Sequence, residues 1–515
     1  MPGIKPTQWL DEQIKKLTRA AIDAFVHQVV GSGAEQYSKE EGVYRFTATL
    51  TSVEESQAGG GLLGGPKIIP PRYTISRPGS DGLGGGVVTR VDTPETGSTG
   101  EKTAKGAIAE RVESTDWVQR FNEVRNRIGQ AIKDWKELPT KADLASLKYF
   151  RNDLLSKVGV RLAVDWNNGD QGDSGNSKRG GSPTGESEIN AAIYALEANQ
   201  ECMSGATWGV FQQNYICKIR TVISLNHALF RATASVVGAE HAMFSNARET
   251  VSSILDSSTA AFDAVSVPAK GSVDIKAAAK IGSAAVEAVK ALAGADGPLA
   301  AGKAVKAVTD FGLAVVDAAP EDPDISKNGG NYDEVMNGFE GALSDLNARV
   351  TKTEKDLDSK LQANLNQLKG HGSDYGIAFT ALDTSSSNQL KIRVEGDGSY
   401  DMTVNSITQV NLPTIASELS GVVTDLTTVK DSFPRLVNRP GSIGLGVTGP
   451  STNFCSSMDN LIRYINELSY ETTLAKHNLE LAVQDLTTQD GSSKAELERV
   501  QAEVQEHYEN DPNKK

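Results

Sequence analysis

Gly297-Pro298-Leu299-Ala300-Ala301-Gly302-Lys303-Ala304 has the glycine and lysine spacing of a phosphate-binding loop, in which backbone N–H groups and a lysine hold a nucleotide's phosphates. Ala304 lacks the hydroxyl that would ligate magnesium. The upstream residues, VEAVKALAGAD, favour helix where that loop needs a buried strand, so the stretch reads as the turn of a helical hairpin. Gly172-Asp173-Ser174-Gly175 could present a nucleophilic serine, but it sits in a polar stretch with no histidine and acid delivered by a β scaffold. Asp322, Asp324, Asn328 and Gly329 have the composition of a calcium loop without its spacing. The six histidines, His27, His227, His241, His371, His477 and His507, form no ligand pair. No residue is therefore assigned a catalytic, cofactor-binding or metal-ligating role, and the chain is read as not an enzyme.

The elements that could position any chemistry are long helices. Met458, Leu461, Ile465, Leu468, Thr472, Ala475, Leu479, Ala482 and Leu486 recur at steps of three and four, as do Ile415, Leu419, Val422, Leu426 and Val429. This is the seam spacing of helices packed along their length. A helix is predicted from Trp208 to Val265, about 85 Å long at the helical rise. Another carries Leu343, Leu346, Val350, Leu357, Leu361, Leu365 and Leu368, and Ile189 to Met203 forms a shorter one. A first helix runs from near Thr7 to Gly31, and a helical stretch from Lys105 reaches Trp135 before Pro139. Pro413 opens a helix that Pro434 is expected to close. Period-two alternation marks strands at Val43 to Leu50, Lys67 to Ser76, Gly86 to Val91, Ile377 to Ala381, Leu390 to Val394 and Tyr400 to Val404.

The expected fold is mainly α: an elongated long-helix bundle with small antiparallel β attachments. Six segments follow: 1–100, a helix with short strands and Gly/Pro-rich loops; 101–166, helical; 167–187, a linker without large apolar residues; 188–369, the long-helix core; 370–411, a β hairpin or meander; and 412–515, a helical hairpin. A net charge of -14 argues against a nucleic-acid partner, because such affinity rests on neutralising phosphates. Cys202, Cys217 and Cys455 lack metal-ligand spacing and cannot complete a disulfide set. The opening MPGIKPTQWLDEQIKKL has no apolar run of signal-peptide type. Secretion without a classical signal is the expectation, and a cytoplasmic location is the alternative.

Within the core, residues 275–318 are rich in alanine, glycine and valine and are predicted to form a small-residue helical hairpin. Ile281, Val286, Val289, Leu292, Val305, Val308, Phe311, Leu313, Val315 and Val316 supply apolar faces for membrane contact, and Lys280, Lys290, Lys303 and Lys306 could meet anionic headgroups. Glu287, Asp296, Asp310 and Asp317 interrupt them and would have to line water or a partner. The order of long helix, small-residue apolar hairpin and long helix over residues 188–369 resembles that of cytolysin A-type α-helical pore-forming toxins. The resemblance implies a bundle that keeps its apolar head folded away until it extends into a bilayer and several copies assemble. A possible lipid bilayer and either self-association or another helical protein are the expected partners, and a packing role for the hairpin inside a soluble bundle is the alternative. Ala206 to Tyr215, ATWGVFQQNY, is also similar to the Trp-Xaa-Gly turn of type VII secretion substrates, although here Trp208 and Gly209 are adjacent. That likeness implies a secreted helical-hairpin interaction protein, and the heptads would equally suit a phage or filament scaffold.

Overall fold

Apolar side chains at helical spacing draw five long helices around one another among the described residues of the computed structural model. It describes residues 10–30, 34–40, 43–48, 72–76, 88–91, 107–163, 187–198, 203–266, 273–277, 325–371, 390–392, 406–437 and 450–487. The fold is mainly α. Its axis is helix α7, Cys217–Val265, whose 49 residues span about 74 Å. It is entered from α6, Ala206–Phe211, through a wide turn, Gln212–Ile216. From Val222 to Glu240 all but one of its residues are buried. A helix covered on every side reads as apolar or small nearly all round, and this stretch, VISLNHALFRATASVVGAE, does so apart from Asn226, His227, Arg231 and Glu240.

Helix α1, Asp11–Val30, lies parallel to the C-terminal half of α7, with Gln13 donating to Ser252 at 2.6 Å and to Asp256 at 3.0 Å. Helix α8, Tyr332–His371, runs antiparallel to α7: its first residue, Tyr332, rests against Phe262, with ring centroids 5.9 Å apart. Helices α9, Leu412–Val437, and α10, Ser451–Thr487, form an antiparallel pair. Along it Ser420 meets Ser469 at 3.0 Å, Lys430 meets Asp459 at 2.6 Å, and Phe433 stacks on Phe454 at 3.9 Å. The predicted seams are buried from Ile415 to Val429 and from Met458 to Leu479. The side chains of Ala482 and Leu486 lie outside the described residues. Each enclosed Leu or Ile contributes roughly 1.5–3 kcal/mol. Thr472, the polar member of the seam, gives its hydroxyl to Leu468 O at 2.7 Å and accepts from Tyr215 at 2.9 Å, which ties α10 to the start of α7.

Smaller helices flank this core: α2, Ala107–Ser114; α3, Trp117–Ile132; α4, Lys141–Leu154; and α5, Glu188–Ala198. The stretch expected as one helix from Lys105 breaks before α3, where Asp116 caps the new N-terminus by accepting from Gln119 N at 3.0 Å. Beyond α4 a wide turn, Leu155–Gly159, carries Arg161 onto α9, where it meets Glu418 and Asp425, each at 3.2 Å. Gly421 lies between those acids, and a Cβ there would stand 2.6 Å from the guanidinium. Gly421→Ala is therefore expected to displace Arg161. Helix propensity gains about 1 kcal/mol while partly exposed ion pairs contribute at most about 1, so overall stability stays nearly level. The measurement is a double-mutant cycle between Arg161→Ala and Glu418→Ala, whose coupling should vanish in the Gly421→Ala background.

The β attachments are antiparallel. Strands β1 to β4, Ala34–Glu40, Val43–Ala48, Arg72–Ser76 and Val88–Val91, form a sheet in that order. Among the described residues Tyr44, Phe46, Tyr73 and Ile75 are its buried apolar side chains, with Thr47 buried beside them. Tyr44 donates to the buried Asp23 of α1, which also pairs with Lys39 of β1, so the sheet is pinned to the bundle by a carboxylate. β5, Met203–Gly205, pairs with β8, Leu390–Ile392, and β6, Val273–Ala277, pairs with β7, Ile325–Gly329.

Three expectations need correction. Met203 does not extend the helix of Ile189, because it enters a ladder with Ile392. Pro434 lies inside α9 rather than closing it: the helix continues only to Val437, so the proline removes a single hydrogen bond near the end. Ile275, Lys276 and Ala277 are strand and not the start of a helix, their backbone groups being taken by β7. Ile377 to Ala381 and Tyr400 to Val404 lie outside the described residues.

Candidate functional site

The pairing of α7 with α8 gives the chain its most distinctive local chemistry. Helix α7 ends on Ser266, whose N–H reaches Phe262 O at 3.0 Å and whose hydroxyl reaches Asp263 O at 2.8 Å. Helix α8 starts with a variant of the capping box, shifted by one residue: Asn331 accepts from Glu334 N at 3.0 Å, and Glu334 accepts from Gly330 N at 2.6 Å. Between these ends β6 and β7 zip together from Val273↔Gly329 to Ala277↔Ile325. Residues 278–324 thus leave and return at neighbouring positions. The ten apolar residues named for membrane contact, from Ile281 to Val316, lie in that interval, outside the described residues. So do the phosphate-loop match at Gly297 to Ala304, Asp322 and Asp324. Gly172 to Gly175 is likewise undescribed. Asn328 and Gly329 are in the β7 ladder, opposite Asp274 and Val273, so their backbone is extended where a calcium loop would turn.

Farther along the seam two carboxyl groups are enclosed. Glu240 of α7 and Glu354 of α8 are each only 1% exposed. Both oxygens of Glu240 and Oε2 of Glu354 have no hydrogen-bond partner among the described residues. Burial pushes the Glu240 carboxyl up to about 8; burial, and then the charge of Glu240, pushes Glu354 up to about 10. The pair is thus neutral at pH 7, because an ionised carboxylate here would lose its water with no cation to replace it. Further along the core, Asn364 Nδ2 of α8 and Ser457 Oγ and Asn478 Nδ2 of α10 are also buried without partners. Each such group opposes folding by about 1–3 kcal/mol.

Sequence reasoning passed over both acids although a signal was present. Val236, Glu240 and Met243 follow at steps of four and three, as do Val350, Glu354 and Leu357. Each glutamate therefore occupies a seam position where an apolar side chain is expected.

Elsewhere the chemistry is sparse. Asn126, Arg127, Trp135, Glu340 and Asn347 help line an open groove of about 570 Å³ between α3 and α8. Arg127 is already held by both oxygens of Glu340, at 2.9 and 2.8 Å, so its charge is matched within the groove. His227 is buried and stacked on Phe230, while burial depresses the basicity of His27 beside Val265. Among the described residues no three His, Cys, Asp or Glu side chains are grouped to hold a metal ion. Cys217 is an exposed free thiol and Cys455 a half-buried one, pushed up by burial. Trp208, 2% exposed and packed on Phe211, lies with Gly209 inside α6 and not in a turn between helices. No described helix is long and apolar enough to cross a membrane. No protein-family model matches the chain, and no curated protein or solved structure is significantly similar to it.

Proposed function

We propose that this chain is a non-enzymatic, membrane-active helical bundle that exposes its alanine-rich insertion to lipid and oligomerises, in the manner of α-helical pore formers. The carrying observation is the β6–β7 ribbon, which gathers both ends of residues 278–324 into one root between the paired helices α7 and α8. An apolar segment tethered in this way can change its surroundings while the bundle that carries it stays folded. Its valines, Leu292, Leu313 and Phe311 supply apolar area, and Lys280, Lys290, Lys303 and Lys306 supply charge for anionic headgroups.

Dye release from phosphatidylglycerol-containing vesicles is the test. The full chain is expected to release dye and to form crosslinkable oligomers on the vesicles, and Val289→Asp or Phe311→Asp is expected to abolish release while the helical circular dichroism is retained. Absence of release by the unmodified chain, or undiminished release by both aspartate variants, overturns the reading. A helical-hairpin interaction protein is the competing reading, favoured by the antiparallel α9–α10 pair; it requires capture of a helical partner and no release.

A further inference from the structure

We propose that Glu240 and Glu354 form a proton-held latch across the α7–α8 seam, closed while both carboxyls are neutral and forced open locally when they ionise. The inference rests on the antiparallel α7–α8 pairing and does not depend on membrane activity. Both acids stand at seam positions of the two longest described helices, and both are 1% exposed. Three of their four carboxyl oxygens lack any hydrogen-bond partner among the described residues. A carboxylate there has three escapes: keep its proton, find a cation, or reach water. The first holds at neutral pH; the second is closed by the surroundings.

The charged groups of the packed elements are occupied or exposed, or, like the partly desolvated Arg125 of α3, contribute to neither carboxyl. On α7, Arg248 donates to Pro139 O at 2.7 Å, and His241 is half-buried without contributing to either carboxyl. On α8, Lys352, Lys355 and Asp356 are exposed, Lys360 interacts with Asp356, and Asp358 accepts from Asn453 of α10 at 2.8 Å. On α10, Cys455 lies beside Lys430 and Asp459, which pair with each other. On α4, Asp143 is bonded to Thr140, and Lys148 is exposed. On α1, Asp11 faces Lys136, and on α3, Arg127 is paired with Glu340. Among the described residues no lysine, arginine or histidine offsets the burial of either glutamate. Only water remains, and water reaches these groups only if the helices part. Loss of the first proton also holds the second more tightly, so the pair titrates in two steps and the seam starts to open at the first of them, at mildly alkaline pH.

Hydrogen exchange read by mass spectrometry tests the latch, comparing the unmodified full chain with Glu240→Gln, Glu354→Gln and the double variant at pH 6 and pH 9. Comparing variants at one pH removes the intrinsic pH dependence of exchange. Peptides covering residues 236–244 and 350–358 are expected to be equally protected in all four proteins at pH 6. At pH 9 those of the unmodified chain should lose at least tenfold in protection relative to the double variant. Equal protection at both pH values overturns the proposal. Infrared spectroscopy of the unmodified chain gives a second test that needs no variant: a neutral carboxylic acid carbonyl band is expected at pH 7 and should weaken at pH 9 as the first of the two groups ionises. Its absence at pH 7 also overturns the latch.

Discussion

Raising the pH from 5 to 9 is expected to destabilise the folded chain, relative to a Glu240→Gln/Glu354→Gln variant, by on the order of 10 kcal/mol. Both groups have folded-state pKa values above their ordinary 4.5, so the folded protein holds protons that the unfolded chain releases. Below about pH 4.5 neither state is ionised and the stability is fully present. From there upward the unfolded chain gains about 1.4 kcal/mol per pH unit for each carboxyl. The loss stops growing once the folded groups ionise too, near 8 for Glu240 and near 10 for Glu354. Glutamine has nearly the shape of the neutral acid and no proton to lose, so the variant should hold its denaturation midpoint where the unmodified chain's falls. Urea unfolding at pH 5, 7 and 9 measures this, and a midpoint difference that does not change with pH would contradict the burial of the pair. Other carboxylates are common to both proteins and cancel.

Arg220→Ala is expected to destabilise the chain by about 2–4 kcal/mol, somewhat below the loss for a fully buried ion pair because 21% of the Glu197 side chain stays exposed. Arg220 is 8% exposed and meets both oxygens of Glu197, at 3.0 and 2.9 Å, while its guanidinium lies 4.5 Å from the centre of the Tyr194 ring. This cluster fastens α5 to the start of α7. Alanine would leave Glu197 without its cation and Tyr194 without its stacked partner. Arg220→Lys should recover only part of the loss, since an ammonium cannot bond both carboxylate oxygens in the same fork. Replacing both members, Arg220→Met with Glu197→Leu, should come within about 1–2 kcal/mol of the original, because no charge is then left unmatched. Thermal unfolding of the three variants decides between these outcomes. A double replacement as damaging as Arg220→Ala would mean that the cluster contributes through shape and not charge.

Much of the architecture was legible because helical periodicity is local. The steps of three and four at Met458 to Leu479 mark a covered stripe whatever lies opposite, and α10 buries that stripe. The run from Trp208 to Val265 is helical throughout, interrupted only by the wide turn at Gln212–Ile216. Strand β1 was not legible, since AEQYSKE has no apolar alternation; its place at the sheet edge is set by pairing with β2 and by the Lys39 to Asp23 contact. The β5–β8 ladder joins residues nearly 190 positions apart in sequence (Met203 with Ile392), a distance over which no local pattern operates.

Composition and spacing were sufficient for a mainly α chain of long, side-by-side helices with an alanine-rich insertion between two of them. Partners, directions and depths required the folded chain. A heptad specifies which face of a helix must be covered, and it is silent about which neighbour covers it. Glu240 and Glu354 illustrate the difference: each is visible alone as an acid at an apolar position, yet their effect on one another exists only because α7 and α8 close antiparallel and exclude the water that would otherwise separate their charges.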